Sequence, residues 1–415
     1  MSVIEQAGWK KTTIGEAFET ATGSTPPKSK NEYYGDFMPF VKPPELCNGE
    51  IASAVDNLSE NGADVARVLP PDSLLISCIG NLGKIGLNTV AVAFNQQINA
   101  IKPAPDRAIP RFMFFQALSP DFKNQLQSLS SGTTVPIVNK SKFNSIAISL
   151  PPLPEQERIV AILNEAFVGI ATATADAQRN LHNARELLQS VRQSTFEQKE
   201  DWVQTTIGEA FDTATGTTPP KSNALYYGNF MPFVKPPELR DAPLDSAMDN
   251  LSEAGADVAR TLPPKSILVS CIGNLGKIGL NTVAVAFNQQ INAILPDERK
   301  AIPKLMFHQA LSSSFKEQLE ALSGGTTVPI VNKSKFNSVT IVLPPMSEQK
   351  AIVSNLDDLT TKTRQLEAVY QRKLDALAEL KQSLLQRAFA GELTPSQNAK
   401  ERAIDMLKQA LDGML

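Results

Sequence analysis

The side chains in this sequence best suited to chemistry are amides, hydroxyls and ammonium groups gathered in short loops marked by glycine or proline. Asn81 and Lys84 stand in GNLGK, Gln96 and Gln97 in FNQQ, Thr133 and Thr134 in SGTTVP, and Asn139, Lys140 and Lys142 in VNKSKF. Lys28 and the pair Tyr33-Tyr34 make a further set. A carboxamide presents a donor beside an acceptor, which matches the edge of a base, adenine above all, while lysines and turn amides match phosphate. The chemistry implied is recognition rather than bond-making. The same residues admit a plainer account, in which Gly80 and Gly83 permit a tight hairpin, FNQQ caps a strand and the tyrosines pack inward.

Each of these residues has a counterpart 193 positions later: Lys221, Tyr226, Tyr227, Asn274, Lys277, Gln289, Gln290, Thr326, Thr327, Asn332, Lys333 and Lys335. The offset runs through the chain. SCIGNLGKIGLNTVAVAFNQQINAI begins at Ser77 and again at Ser270, Trp9 returns as Trp202, and MPFVKPPEL at Met38 returns at Met231. A period of this length is a duplicated domain and not a solenoid, so the chain is two copies of one unit, about 9–201 and 202–394, with a short tail. Identity between the copies shows shared origin and does not by itself mark a residue as functional.

Bond-making chemistry finds no footing in what the copies share. The two histidines, His182 and His308, have Asp375 and Phe115 as counterparts and read as surface or filler. Cys47, Cys78 and Cys271 lack the CxxC spacing of a zinc site and make no disulfide frame; Cys78 and Cys271 sit in apolar runs as small buried residues. No Pro-Pro pair lies in the Asp/Asn/Ser-Pro-Pro-aromatic run with which a DNA adenine methyltransferase holds a flipped base. Gly83-Lys84 is no Walker loop, since Cys78 replaces its first glycine and Ile85 its Ser/Thr. No catalytic residue, metal site or cofactor is expected.

The elements that must position the loops fall into two halves per copy. Over 9–150, the runs FMPFV, DSLLISCIG, GLNTVAVAF and SIAISL are bounded by turn residues and predict strands of a compact mixed domain. RFMFFQALSPDFKNQLQSL carries Phe114, Phe115, Leu118, Phe122 and Leu126 at helical spacing, as one helix or a broken pair. After Pro151-Pro152-Leu153-Pro154 there is no proline until Pro219. Apolar or small residues then fall in alternating steps of four and three: Ile159, Leu163, Ala166, Ile170, Ala173, Ala177, Ala184, Leu187 and Val191, interrupted at Asn180. The second copy repeats the series as Ile352, Leu356, Leu359, Thr363, Leu366, Tyr370, Leu377, Leu380 and Leu384. This is a coiled-coil seam. A helix of about 40 residues, roughly 60 Å long, needs a partner for its one apolar stripe, and the other copy's helix supplies it.

The expected fold is α+β: two near-identical mixed α/β globular domains, 1–150 and 201–343, separated by two long helices, 151–200 and 344–394. The helices form an antiparallel coiled coil about a pseudo-two-fold axis, giving a dumb-bell, and a tail helix covers 395–415. A chain of 415 residues with 42% hydrophobic content can build two cores. Its net charge of −3 argues against a strongly cationic nucleic-acid binder but leaves room for a local basic face. No apolar run approaches the roughly 18 residues of a membrane span, and MSVIEQAGWKK lacks the apolar core of a signal peptide, so a cytoplasmic protein with no membrane partner is expected.

The order head, PPLPEQERIVAIL helix, head, PPMSEQKAIVSNL helix resembles the specificity subunit of type I restriction-modification systems. The resemblance spans almost the whole chain. It rests on Pro151-Glu155-Gln156 and Pro344-Glu348-Gln349, on WxxxxIGE with a following TG (Trp9 to Gly23, Trp202 to Gly216), and on GNLGK. It implies two target-recognition domains that each read half of a bipartite site in double-stranded DNA. It implies also that the helices set the spacing and carry two methyltransferase subunits, that restriction subunits are an optional partner, and that this chain performs no catalysis.

Two like readers suit the two-fold symmetry of duplex half-sites. Most members of the family carry two different heads; here they are nearly the same, so the expected target is a pair of inverted copies. The heads differ at SKNEY against SNALY (from Ser29 and Ser222) and at CNGEIASAV against RDAPLDSAM (from Cys47 and Arg240). Two other readings stand beside this one. The first is a symmetric scaffold whose heads bind peptide or protein; the second, a hydrolase or transferase with paired sites, lacks a repeated histidine or nucleophile.

Overall fold

The computed structural model describes residues 8–132, 134–197, 199–324 and 327–393. They form two compact units, one of the described residues up to Gln178 with those from Gln371 onward, the other Arg179–Tyr370. Each unit is thus one head with part of both long helices, because a helix with a single apolar stripe is stable only once that stripe is covered. The tail helix expected over 395–415 lies outside the described residues.

The first head runs β1 (Lys10–Thr13), α1 (Ile14–Ala17), β2 (Thr20–Thr22), β3 (Tyr34–Val41), β4 (Gly49–Ile51), β5 (Asn57–Leu58), α2 (Glu60–Val65), β6 (Val68–Leu69), β7 (Leu74–Ser77), β8 (Ile85–Asn88), β9 (Val92–Phe94), β10 (Ile98–Ile101), α3 (Pro110–Leu118), α4 (Pro120–Ser128), α5 (Lys140–Asn144) and β11 (Ala147–Leu150). β1 lies antiparallel to β11, Lys10 opposite Leu150, so the ends of the head meet. Five strands form a sheet in the order β2-β10-β7-β8-β4 and four a smaller one, β5-β3-β9-β6. Pairing is antiparallel except for β4 with β8 and β3 with β9.

Phe112, Phe115 and Phe122 of α3 and α4 share one buried cluster with Leu74, Ile76 and Ile85 of the larger sheet. The apolar run over 111–129 is a broken pair because Ser119 and Pro120 intervene. Ser119 Oγ accepts from Phe122 N at 3.3 Å as the cap of α4, and proline is tolerated at the first helical position. GLNTVAVAF, expected as one strand, is two. Asn88 holds the turn between them: it is buried, donates to Pro70 O and Val90 O at 2.7 Å, and accepts from Ser73 N at 2.7 Å.

The second head repeats the plan as β12 (Val203–Thr206), α7 (Ile207–Ala210), β13 (Asp212–Thr215), β14 (Tyr227–Val234), β15 (Ala242–Leu244), β16 (Asp249–Leu251), α8 (Glu253–Val258), β17 (Thr261–Leu262), β18 (Ile267–Ser270), β19 (Ile278–Asn281), β20 (Val285–Phe287), β21 (Ile291–Leu295), α9 (Pro303–Ala310), α10 (Ser313–Leu322), α11 (Lys333–Asn337) and β22 (Thr340–Leu343). Its sheets are β13-β21-β18-β19-β15 and β16-β14-β20-β17.

α6 (Leu153–Thr195) and α12 (Met346–Phe389) are the long helices, of 43 and 44 residues. The Glu-Gln that follows the prolines fixes each to its head. Gln156 is fully buried; its Oε1 accepts from Ile109 N at 2.9 Å, and its Nε2 donates to Arg107 O at 3.0 Å and Pro151 O at 2.8 Å. Gln349 makes the same three bonds with Ile302, Lys300 and Pro344.

In the first unit Ile159, Leu163, Ala166 and Ile170 of α6 share a buried cluster with Leu377, Leu384, Leu385 and Ala388 of α12 and with Phe112 and Phe115 of the head. The helices run antiparallel there, Arg158 reaching the Leu393 carbonyl and Phe167 lying 4.9 Å from the Lys381 ammonium. They are antiparallel in the second unit as well, where Arg185 pairs with Glu367 at 2.6 Å and Arg192 donates to Thr360 at 3.2 Å. Leu356 is buried, while Val191, Ile352, Leu359 and Leu380 are half-buried.

Two expected seam residues are not in the seam. Leu187 is 58% exposed and its neighbour Leu188 is buried instead; Leu366 is 45% exposed, while half-buried Glu367 pairs with Arg185. In α6 the cause is visible at the polar break. The inward position after Ala177 is Leu181, four residues on, so two steps of four follow each other and the stripe advances by one residue, as at a coiled-coil stutter. The expectation that no stretch is apolar enough for a membrane also needs correcting. α6 contains an 18-residue window of mean hydropathy 1.4, sufficient by length and composition, because small and β-branched residues fill its outward side as well.

Candidate nucleic-acid interface

The register of the larger sheet decides where the loops go. In the first head Ser77, the last residue of β7, pairs with Ile98, the first of β10, and Asn99 pairs with Thr22 at the end of β2. The turn from β7 to β8, the turn from β9 to β10 and the segment after β2 therefore leave the sheet at one end. Backbone bonds draw the 136–138 segment to the same end: Gly80 N donates to Pro136 O at 2.9 Å, Val138 N to Cys78 O at 2.8 Å, and Cys78 N to Gln97 O at 2.8 Å. The second head repeats them, with Gly273 N to Pro329 O at 2.9 Å, Val331 N to Cys271 O at 2.9 Å and Cys271 N to Gln290 O at 2.8 Å. Gly80 and Gly83 hold φ of 78° and 77°, a left-handed conformation that admits glycine without strain and lets the hairpin close.

Within this cluster some side chains hold the loops and others face solvent. Asn139 caps α5, accepting from Lys142 N at 2.9 Å, and Asn332 accepts from Lys335 N at 2.9 Å. Gln97 and Gln290 are half-buried and accept from Asn95 at 3.0 Å and Asn288 at 2.9 Å. Gln96 and Gln289 are exposed and accept from the Thr25 and Thr218 hydroxyls, tying FNQQ to the TPPK segment. The Tyr34 hydroxyl donates to Pro26 O at 2.7 Å and that of Tyr227 to Pro219 O at 2.8 Å, and both rings pack on the small sheets. Tyr33 and Tyr226 are half-buried, Tyr33 with the Lys30 ammonium 5.2 Å from its ring.

Asn81, Thr134, Lys28 and Lys140 are exposed, as are Asn274, Thr327, Lys221 and Lys333. Lys84, Lys142 and Lys277 are half-buried, and the Lys335 ammonium donates to Leu322 O at 2.8 Å. Thr133 and Thr326 lie outside the described residues. The chemistry present is that of hydrogen-bonding recognition. Cys78 and Cys271 are buried, and loss of solvation pushes both thiols up to about 12, so neither is a thiolate nucleophile at neutral pH. Among the described residues no three His, Cys, Asp or Glu side chains stand where they could hold a metal.

Two features escape a reading of the sequence. The first is that Cys47 and Arg240 belong to this same end. β4 runs parallel to β8 from Gly49 opposite Gly86, and Asn48 clamps the hairpin, its N donating to Ile85 O at 2.8 Å and its Oδ1 accepting from Ile85 N at 3.1 Å. The second is in the helical part of the second unit. His308 is 1% exposed, not surface, with Nε2 3.0 Å from Asp357 Oδ1, and it lies near buried Arg192. Burial lowers the His308 pKa and brings that of Arg192 down to about 10. The available signal was three exchanges between the copies: Phe115 for His308, Phe167 for Thr360, Leu385 for Arg192. In the first unit Phe115 and Phe167 stack edge-on at 5.3 Å.

Known proteins resemble this chain in sequence and in fold. The family model for the type I restriction modification DNA specificity domain matches residues 6–175 and 199–374. The HindI specificity subunit of Haemophilus influenzae is 31% identical over 188 residues, 44% of this chain and 40% of that one. The MjaIX specificity subunit of Methanocaldococcus jannaschii is 21% identical over 93% of both chains. Among solved structures, one described as the basis of complex assembly and conformational transition of the type I R-M system has a TM-score of 0.79 at 21% identity, over 92% of this chain and 98% of that one. The HsdS subunit from Thermoanaerobacter tengcongensis gives 0.58 at 20% identity, over 93% and 98%. These two show a shared fold.

Proposed function

The chain belongs to the type I restriction-modification DNA specificity family, and we propose that it is the sequence-reading subunit of such a system, each head reading one half of a bipartite duplex target. One observation supports this: GNLGK, FNQQ and PIVN meet at one end of each head, so that amides, which match base edges, stand near lysines, which match phosphates. Residues 1–150 and 201–343 are the target-recognition domains, and α6 and α12 set the spacing between half-sites. Residues 77–101 and 132–145 recur letter for letter as 270–294 and 325–338, so the two halves are inverted copies or nearly so.

The chain is not an enzyme. Methylation comes from two methyltransferase subunits docked on the helices, with restriction subunits as an optional addition, in the cytoplasm. The outward side of α6 supports such docking: Ala161, Val168, Thr172 and Ala175 are exposed at coiled-coil spacing, Val168 by 68%.

Long-read mapping of modified adenines in cells that make this chain with its neighbouring methyltransferase tests the reading. The expected result is one motif whose halves read alike on opposite strands, with binding by the assembled complex that falls steeply as salt rises. Two unrelated half-sites would refute the inverted target, and salt-independent binding to protein in place of DNA would favour a scaffold.

A further inference from the structure

We infer that Arg240 is a specificity-determining residue of the second head, reading a guanine that the first head, with Cys47 in the same place, leaves unread. This rests on the DNA-reading role proposed above. The loops gathered at the sheet end are identical over 77–101 and 132–145, so taken alone they would read the same bases in both half-sites. The segment before β4 breaks that identity at the same end.

The backbone holds both residues alike. Asp241 N donates to Ile278 O at 2.9 Å and its Oδ1 accepts from Ile278 N at 3.0 Å, matching the clamp that Asn48 makes on Ile85. Asp241 and Asn48 share the left-handed conformation, with φ of 55° and 59°. Cys47 and Arg240 each precede that clamp, next to the strand that starts after Lys84 or Lys277, and both are exposed. Arg240 makes no side-chain hydrogen bond or ion pair among the described residues. A thiol offers one weak donor; a guanidinium offers a rigid fork that fits O6 and N7 of guanine together. The other stretch that separates the heads gives the second head no such group. Asn223 accepts from Leu225 N at 3.2 Å, and Ala224 and Leu225 have apolar side chains.

Reciprocal exchange tests this in the full chain assembled with its methyltransferase subunits: Arg240→Cys, Cys47→Arg and both together, each mapped by long-read detection of modified adenines. The wild-type motif should show halves that agree except at one position, a guanine demanded only by the second half. Arg240→Cys should relax that demand by roughly tenfold or more, the scale of losing one bidentate contact. Cys47→Arg should install it in the first half, and the double exchange should swap the halves. A motif indifferent to Cys47→Arg and Arg240→Cys in chains that still methylate overturns the assignment, as does a wild-type motif whose halves agree throughout. Absence of any methylated motif from the assembled wild type overturns instead the reading on which it rests. Thermal melting of each variant confirms that it folds, and since Cys47→Arg adds a side chain at an exposed site it reports even where Arg240→Cys does not fold.

Discussion

A carboxamide in a loop either holds the loop or reads a base, and mutation separates the two uses. Asn139 and Asn332 cap short helices, so changing both to Ala should lower stability by about 1 kcal/mol per helix, with Ser at the same positions restoring most of it. Gln96 and Gln289 are exposed and bonded only to threonine hydroxyls on the described residues; changing both to Ala should leave thermal melting nearly unmoved and relax the methylated motif at an adenine. An unchanged motif would place the readers elsewhere on the surface. The sequence singles out loops that the fold brings to one end of each head, because glycine, amide and lysine recur in them, but it does not sort holders from readers. The same atoms cap and read, and the difference lies in whether a backbone N–H such as that of Lys142 is already in place. Nor does it bring Cys47 to the loops, since that depends on the parallel pairing of β4 with β8, a long-range register.

The two long helices are readable as helices from their period, and their partner from the doubling, yet the inward face is misread beyond Asn180 because a one-residue advance of the stripe leaves the letter pattern almost unchanged. Leu163 and Leu356 are buried at 0% and 1%, so Glu at both should cost more than the roughly 2–5 kcal/mol of a buried Leu→Ala change and abolish folding or assembly. Leu187→Glu with Leu366→Glu, at exposed positions, should stay within about 0.5 kcal/mol each. Guanidinium chloride titration of the two double variants distinguishes these outcomes. The second unit carries a further difference: where the first unit stacks Phe115 on Phe167, it buries His308 and Arg192 beside a half-buried Thr360. Burial lowers the His308 pKa below its ordinary 6.5, against the pull of Asp357. The unfolded chain therefore takes the proton more readily, and the stability contributed by the neutral ring is full above about pH 6.5 and lost as pH falls through the folded-state pKa. Hydrogen exchange, corrected for its intrinsic pH dependence, should show α9 losing protection between pH 7 and 5 while α3 keeps it, and His308→Gln should remove the difference. Equal behaviour of α3 and α9 would show that the buried histidine does not set acid sensitivity.

At the scale of the whole molecule, the period of the sequence reveals the doubling at once, and the structure adds that α6 and α12 each pass unbroken from one compact unit into the other. No loop interrupts them to absorb a change of length. If the helices set the distance between half-sites, seven residues inserted into both, after Ala177 in α6 and after Tyr370 in α12, preserve the seam and add about 10 Å of helix. At 3.4 Å per base pair that corresponds to about three base pairs of added spacer. The duplex turns by roughly 100° over that length, whereas a coiled coil with a pitch near 150 Å turns by only about 25°, so one half-site is offered off-axis. Mapping of modified adenines should therefore return the same half-sites with a longer spacer and a lower fraction methylated. The same insertion in α6 alone puts the two seams out of step and should abolish assembly. A paired insertion that folds, assembles and methylates at the original spacing would mean that something other than these helices fixes the distance.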